Sequence, residues 1–302
     1  MKTVTVGIPA YNEYNTIGEL IKSIQEQKQI GYTIEKIIVI CDGSSDGTPE
    51  KVKKLFGSNS KIKLIDDRKR LGKSARLNQI YRMNTSDILV TFDADILLCS
   101  TYSLYKMVSY FDNKNVGLVS GNGIPTKPSN YIHAIINTWY NLWYFIRKDY
   151  NRGDNIHNIH GNMSALRKDL AEKVVYPKGI TSDQDFLYMT AKKLKMNFRF
   201  AKNATFYVNN PNNINDFYMQ ASRFADEKEK MVSLFGDWIQ ELYTIPTGYK
   251  LRKMLQYSLS KPISTSLATF IYLWFAILPH QHDTLNEYGM WQEAKSTKKI
   301  IH

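Results

Sequence analysis

Residues 36–49 read KIIVICDGSSDGTP, and this stretch decides the fold class. The near-continuous apolar run 36–41 is the pattern of a strand covered on both faces. It breaks into a polar loop, Asp42-Gly43-Ser44-Ser45-Asp46-Gly47, rich in residues that supply positive φ and local hydrogen bonds. Thr48-Pro49 then places a capping residue and a first-turn proline at the start of a helix, and Gly57 ends it. A fully buried strand, a short polar loop and a capped helix form the repeating unit of an α/β sheet.

The same alternation extends outward. Residues 3–8 (TVTVGI) alternate β-branched side chains. Over 16–29, Ile17, Leu20, Ile21 and Ile24 share one helical face, and Thr16 with Glu19 has the form of a capping box. Residues 61–65 and 87–92 read as further strands, with a helix over 73–83 between them. The expected fold is therefore α/β: a mostly parallel, Rossmann-like sheet with right-handed crossovers, flanked by helices. Ligands bind beyond the carboxyl ends of such strands. Tyr11, Asn12 and Glu13 follow the first strand, Asp42 the second, and Asp93 and Asp95 the fourth.

The chain has 302 residues and a formal net charge of +12. Its length suits one large domain plus a tail, and its charge favours anionic partners. Zinc-finger spacing and RNA-binding aromatic signatures are absent from the sequence, which argues against nucleic acid. Cys41 and Cys99 lie in apolar stretches and read as buried, reduced thiols, consistent with a cytoplasmic setting. The opening MKTVTVGIPAYNE lacks a signal-peptide core.

Later segments are less regular. Aromatics crowd 131–148, residues 183–195 and 214–235 have helical patterns, and 198–208 alternates like a strand. Residues 262–279 (PISTSLATFIYLWFAILP) are the most hydrophobic stretch, at the lower limit of a bilayer span. Lys250, Arg252, Lys253 and Lys261 precede it. A helix lying on the cytoplasmic face of a membrane, or re-entrant there, fits that basic flank at least as well as a full span. The competing reading is a tail helix packed on the core or on a second subunit.

Asp93 and Asp95 sit at i and i+2 after an apolar strand. A turn there lets both reach one cation through oxygen. Two carboxylates alone hold Mn²⁺ or Mg²⁺ weakly, so a diphosphate is expected to complete the shell. Asp42 is placed to accept from a nucleobase N–H, and Tyr11 offers a ring for stacking the base. His157 and His160 have an i, i+3 spacing but lack a third ligand in the sequence.

Three ordered segments, Val6-Gly7-Ile8-Pro9-Ala10-Tyr11-Asn12-Glu13, Cys41 to Thr48, and Phe92-Asp93-Ala94-Asp95, resemble the motifs of family 2 glycosyltransferases of the GT-A fold. The resemblance continues at Gly161 to Arg167, similar to the family's acceptor-side segment, and at Thr181-Ser182-Asp183, which looks like the segment carrying its catalytic base. Gln220-Ala221-Ser222-Arg223-Phe224 is similar to the Gln-x-x-Arg-Trp motif of the polysaccharide-synthase branch. Cys41, Ser182 and Phe224 depart from the usual aspartate, glutamate and tryptophan. The resemblance covers residues 1–235 and leaves 236–302 as a helical, membrane-associated tail.

The resemblance implies an inverting transfer of a sugar from a UDP- or GDP-sugar to a hydroxyl of a lipid-linked sugar or glycan. Asp183 would be the general base. Asp95, with Asp93, would hold Mn²⁺ or Mg²⁺. Pro9, Tyr11, Glu13, Asp42, Lys73, Asp93, Gln220 and Arg223 would bind the donor, and Gly161 and Asn162 the acceptor. A polyprenyl-phosphate glycosyl synthase is the near alternative, since an ionised phosphate acceptor needs no strong base. A sugar nucleotidyltransferase is disfavoured by the lack of a Gly-x-Gly-x-x-Arg loop. A non-catalytic sugar-nucleotide-binding protein is disfavoured by Asp42, Asp93, Asp95 and Asp183 occurring together.

Overall fold

A computed structural model describes residues 1–222, 227–277 and 295–298. The strands are β1 (Lys2–Ala10), β2 (Tyr32–Cys41), β3 (Ile62–Asp66), β4 (Ile88–Phe92), β5 (Ile96–Leu98), β6 (Val116–Pro125), β7 (Met163–Arg167) and β8 (Asn197–Val208). They form one sheet in the order β3-β2-β1-β4-β7-β6-β8-β5. The helices that shape the argument are α1 (Ile17–Gln25), α2 (Thr48–Phe56), α3 (Lys73–Arg82), α4 (Ser103–Val108), α5 (Tyr131–Arg147), α6 (Lys168–Ala171), α7 (Asp183–Lys193), α8 (Ile214–Ser222), α9 (Glu227–Phe235), α10 (Thr247–Ser258) and α11 (Pro262–Ile277).

The parallel sheet expected from the sequence holds for β3-β2-β1-β4. Beyond β4 the sheet is mixed: β7 runs antiparallel to both β4 and β6, while β6 and β8 are parallel. Apolar side chains cover both faces. Val6, Ile8, Leu20, Ile21, Val39 and Val90 pack in one cluster, and Ile38, Ile40, Leu77, Leu89 and Leu166 in another. Two layers of helix on one sheet explain why the β2 run had no polar alternation.

The parallel half places the ends of β1, β2 and β4 side by side at one rim, where strand order reverses around β1. Two local expectations change. The Thr16–Glu19 capping box does not form: the Thr16 hydroxyl donates instead to Glu13 Oε2 at 2.8 Å. At α2 the capping acceptor is Asp46, whose Oδ1 takes the Thr48 N–H at 3.0 Å. The 214–235 helix is read as α8 and α9, with residues 223–226 outside the described set. Cys41 is buried, while Cys99 is only half-buried.

The aromatic run at 139–145 belongs to α5 and forms a platform for the tail. Trp139 stacks on Tyr272 of α11 with centroids 3.9 Å apart, and Phe145 meets Tyr257 of α10 at 5.6 Å. Among the described residues no helix is long and apolar enough to cross a membrane; α11 has 16 residues.

Gly7 tests the packing of this rim. It lies in β1 against α3, where a methyl group would collide with Ile80 Cγ2. Gly7→Ala is expected to lower unfolding free energy by about 1–3 kcal/mol, read from urea denaturation midpoints.

Candidate active site

The site is built from loops at the sheet rim. Asn12 takes a left-handed backbone conformation (φ 51°), one that asparagine tolerates better than most residues. Its N–H donates to Ser44 Oγ at 3.1 Å, and its Oδ1 accepts from Ser45 N at 3.0 Å. The loops after β1 and β2 are thereby tied together. Pro9 is buried in β1 opposite Ile40 and leaves no N–H to satisfy there.

Asp42, at the end of β2, is 3% exposed. Its Oδ1 accepts from Leu71 N at 2.7 Å and Arg76 Nε at 2.8 Å; its Oδ2 accepts from Gly72 N and Arg70 Nη1, both at 3.0 Å. Four donors occupy the roughly four lone-pair sites of a carboxylate. A nucleobase N–H could therefore join Asp42 only by displacing one of them, and Arg70 is the sole donor of the four on a partly exposed side chain. The Arg70 guanidinium also lies over the Tyr11 ring, its Cζ 3.1 Å from the centroid. One flat cation thus covers both features assigned to base recognition. Arg70 and the fully buried Arg76 were not singled out from the sequence, although arginines flanking a Gly-Lys helix start were a visible signal.

Asp42 fixes the 70–72 loop, and that loop delivers Lys73 as the first residue of α3. Lys73 Nζ lies 2.6 Å from Asp93 Oδ1 and 3.2 Å from Asp183 Oδ2. The ammonium joins the carboxylate that ends β4 to one that opens α7. Burial by itself would lower the Lys73 pKa, but Asp183 and then Asp93 hold it above the usual lysine range. Asp183 is not the helix cap: Ser182 is, its Oγ accepting from Asp185 N.

Gly161 and Asn162 close the same cluster. Asn162 Nδ2 donates to Asp93 Oδ2 at 3.1 Å, and Asp93 N donates to Asn162 O at 2.9 Å. Gly161 N donates to Gln184 Oε1 at 3.0 Å, and a Cβ at Gly161 would press on the Asp183 carboxylate at 3.1 Å. What disfavours a side chain there is this close approach, not the backbone angle.

Electrostatics link the remaining carboxylates. Burial, then Asp95 and Asp183 against the opposing pull of Lys73, raises Asp93 to about 6. Burial also raises Asp95, whose Oδ1 is buried without a hydrogen-bond partner. Burial and the nearby Asp95 push Glu13 to about 8. A desolvated group of carboxylates with an orphaned oxygen is short of positive charge. A divalent cation bound by Asp95 and Asp93 fits that deficit. Among the described residues no three His, Cys, Asp or Glu side chains form a ready-made cage.

Gln220 and the histidines have other partners. Gln220 Oε1 accepts from Tyr140 OH at 3.0 Å, tying α8 to α5. Arg223 lies outside the described residues. His157 faces Tyr243 O at 3.2 Å and His160 faces Arg147 Nη2 at 3.1 Å, so the pair does not converge on one ion. Burial lowers both, His157 to about 4.

The fold is an α/β sheet with polar loops gathered at one rim, and comparison gives the family. The description "Glycosyl transferase family 2" matches residues 5–175. The chain belongs to glycosyl transferase family 2 and is a glycosyltransferase by that membership. It is 26% identical over 177 residues to the poly-β-1,6-N-acetyl-D-glucosamine synthase of Staphylococcus aureus strain MSSA476, covering 58% of this chain and 42% of that protein. The chain thus spans about two fifths of the curated relatives it matches. Its fold is similar to the Pyrobaculum calidifontis mannosyltransferase PcManGT in complex with GDP-Man and Mn²⁺ (TM-score 0.57, 21% identity, 91% of this chain and 75% of the other). It is also similar to Mycobacterium tuberculosis glucosyl-3-phosphoglycerate synthase with Mn²⁺, UDP and phosphoglyceric acid (TM-score 0.52, 16% identity, 78% and 79%).

Asp185 gives the site a measurable pH signature. Burial raises it to about 7, against the hydrogen bond from Tyr243 OH at 2.9 Å. Between its ordinary value of 3.8 and 7, the folded chain holds a proton that the unfolded chain has released. Stability therefore falls as pH rises through that window. Asp185→Asn is expected to flatten this slope, measured as urea midpoints at pH 4.5 and 7.5.

Proposed function

We propose that the chain is an inverting glycosyltransferase moving a hexosyl group from a UDP- or GDP-sugar to a hydroxyl of a lipid-linked sugar or glycan. The observation that carries this reading is the shared Lys73 ammonium, within 2.6 Å of Asp93 and 3.2 Å of Asp183. It brings the donor-side and acceptor-side carboxylates into one cleft, as an in-line displacement between them requires.

Asp95 and Asp93 would hold Mn²⁺ or Mg²⁺, which supplies Lewis-acid stabilisation of the departing diphosphate. The mannosyltransferase and phosphoglycerate-synthase structures, crystallised with Mn²⁺ and a nucleotide, support that choice. Tyr11 receives the base once Arg70 moves aside, with Asp42 as the acceptor it uncovers. Asp183 takes the proton of the acceptor hydroxyl, whose own pKa is far above neutrality. Gly161 leaves room beside that carboxylate, and Asn162 fixes Asp93. Gln220 and Arg223 remain donor-side candidates through the branch motif, Arg223 as a planar partner for phosphate.

Asp183→Asn is expected to lower kcat by about 10²–10⁴ while leaving nucleotide binding intact, measured by product assay beside calorimetric titration. Near-normal turnover would remove the base and favour a phosphate acceptor, which is already ionised.

The tail supports placement on a membrane surface. Leu251, Leu255 and Leu259 of α10 and its end, then Ile263, Leu267, Phe270 and Trp274 of α11, are 46–80% exposed. Their three- and four-residue spacing makes an apolar stripe, and Lys250, Arg252, Lys253 and Lys261 accompany it. An apolar stripe with basic neighbours fits an anionic bilayer interface. The chain is expected to co-sediment with phosphatidylglycerol vesicles, and Leu255→Glu/Leu259→Glu/Phe270→Glu to stay in the supernatant. A triple variant that still pellets would refute this placement.

A further inference from the structure

The chain's last described segment returns to its first loop. Lys295–Thr297 make one turn of 3₁₀ helix lying against the end of β8 and the start of α8. Ser296 N and Oγ donate to Asp216 Oδ2 at 3.0 and 2.5 Å. Asn212 N donates to Ser296 Oγ at 3.4 Å, and Asn209 Nδ2 to Thr297 O at 3.1 Å. These bonds aim Lys298 inward. Its Nζ donates to Tyr11 O at 2.7 Å and to Glu13 Oε1 at 2.6 Å, across 285 residues of sequence.

Its position between two functions is the important feature. Lys298 Nζ lies 5.8 Å from the centre of the Tyr11 ring, the face assigned to the base. Its other partner, Glu13, follows β1, which runs parallel beside β4, the strand that precedes Asp93 and Asp95, the carboxylates assigned to the metal. A nucleoside diphosphate with its base on Tyr11 and its phosphates on an Asp95-bound cation must pass this ammonium. Charge leads to the same place. With all four carboxyls ionised, as a bound cation would favour, Glu13, Asp93, Asp95 and Asp183 against Lys73 and Lys298 leave a formal charge of two negatives, which one divalent ion neutralises. Without Lys298, the metal-loaded cluster would keep a net negative charge facing an incoming diphosphate.

We propose that Lys298, held by the Ser296–Asp216 anchor, is a donor-positioning residue whose ammonium contacts the diphosphate of the metal-bound nucleotide. This rests on the donor site described under the proposed function. It adds a strap from the far end of the chain as a wall of that site. A lysine that only neutralised buried Glu13 would affect folding but would not discriminate between metal alone and metal with diphosphate.

Calorimetric titration of the full chain with Mn²⁺ alone, Mn²⁺–UDP and Mn²⁺–GDP separates these roles. Wild type is expected to bind one of the two nucleotides. Lys298→Ala should weaken that binding about tenfold or more, and Asp216→Ala should weaken it in the same direction although it touches no ligand. Lys298→Arg should restore most of the affinity. Binding of Mn²⁺ alone should be unchanged or tighter in Lys298→Ala, since a nearby positive charge is gone. Nucleotide binding that is unchanged or strengthened in Lys298→Ala overturns the inference, as does an equal loss for Mn²⁺ alone accompanied by a lowered melting temperature. A wild-type chain that binds neither nucleotide overturns the donor site itself, and the inference with it.

Discussion

The structure of the site depends on one ammonium between two carboxylates. Asp93 and Asp183 come from opposite sides of the cleft, one from the end of a strand and one from the start of a helix. Brought together with little water, two such charges repel and lose hydration. Lys73 removes the repulsion by pairing with both. Its position is set by a chain of local constraints. The turn after β2 presents Asp42, Asp42 accepts the Leu71 and Gly72 amides, and the loop so fixed starts α3 at Lys73. The glycine-rich turn quoted at the outset therefore sets the position of Lys73 through the geometry of a neighbouring loop.

The rim nevertheless remains short of positive charge. The raised proton affinities of Asp93, Asp95 and Glu13 and the orphaned Asp95 oxygen all report the same deficit. A cation that arrives with its own oxygen ligands resolves it without a cage of protein carboxylates. The placement of Arg70 over Tyr11 and against Asp42 follows similar logic: a flat, donor-rich group covers a surface shaped for another flat, donor-bearing group.

The tail is organised by α5. Its aromatic face receives α10 and α11 on one side, while the opposite stripe of those helices stays exposed. The crowded aromatics of 139–145 thus serve packing, and the exposed apolar surface lies on α10 and α11. After that detour the strap brings the chain back to Glu13, so that the first and last described segments share one site.

Strand–helix alternation, the placing of Tyr11, Asp42, Asp93 and Asp95 at strand ends, and Asp183 at the start of a helix were legible from residue order alone. Apolar run length, hydrophobic period and turn chemistry act over a few neighbours, so the sequence carries them directly. The local reading went astray where a distant or competing partner intervened. Thr16 bonds Glu13 in place of a capping box, and Asp42 is already saturated by the 70–76 segment. Only the tertiary structure decided which charges share a counterion: Lys73 with Asp93 and Asp183, and Lys298 with Glu13. Those pairings depend on distances through space between residues far apart in the chain, and on the loss of water that makes each unpaired charge costly.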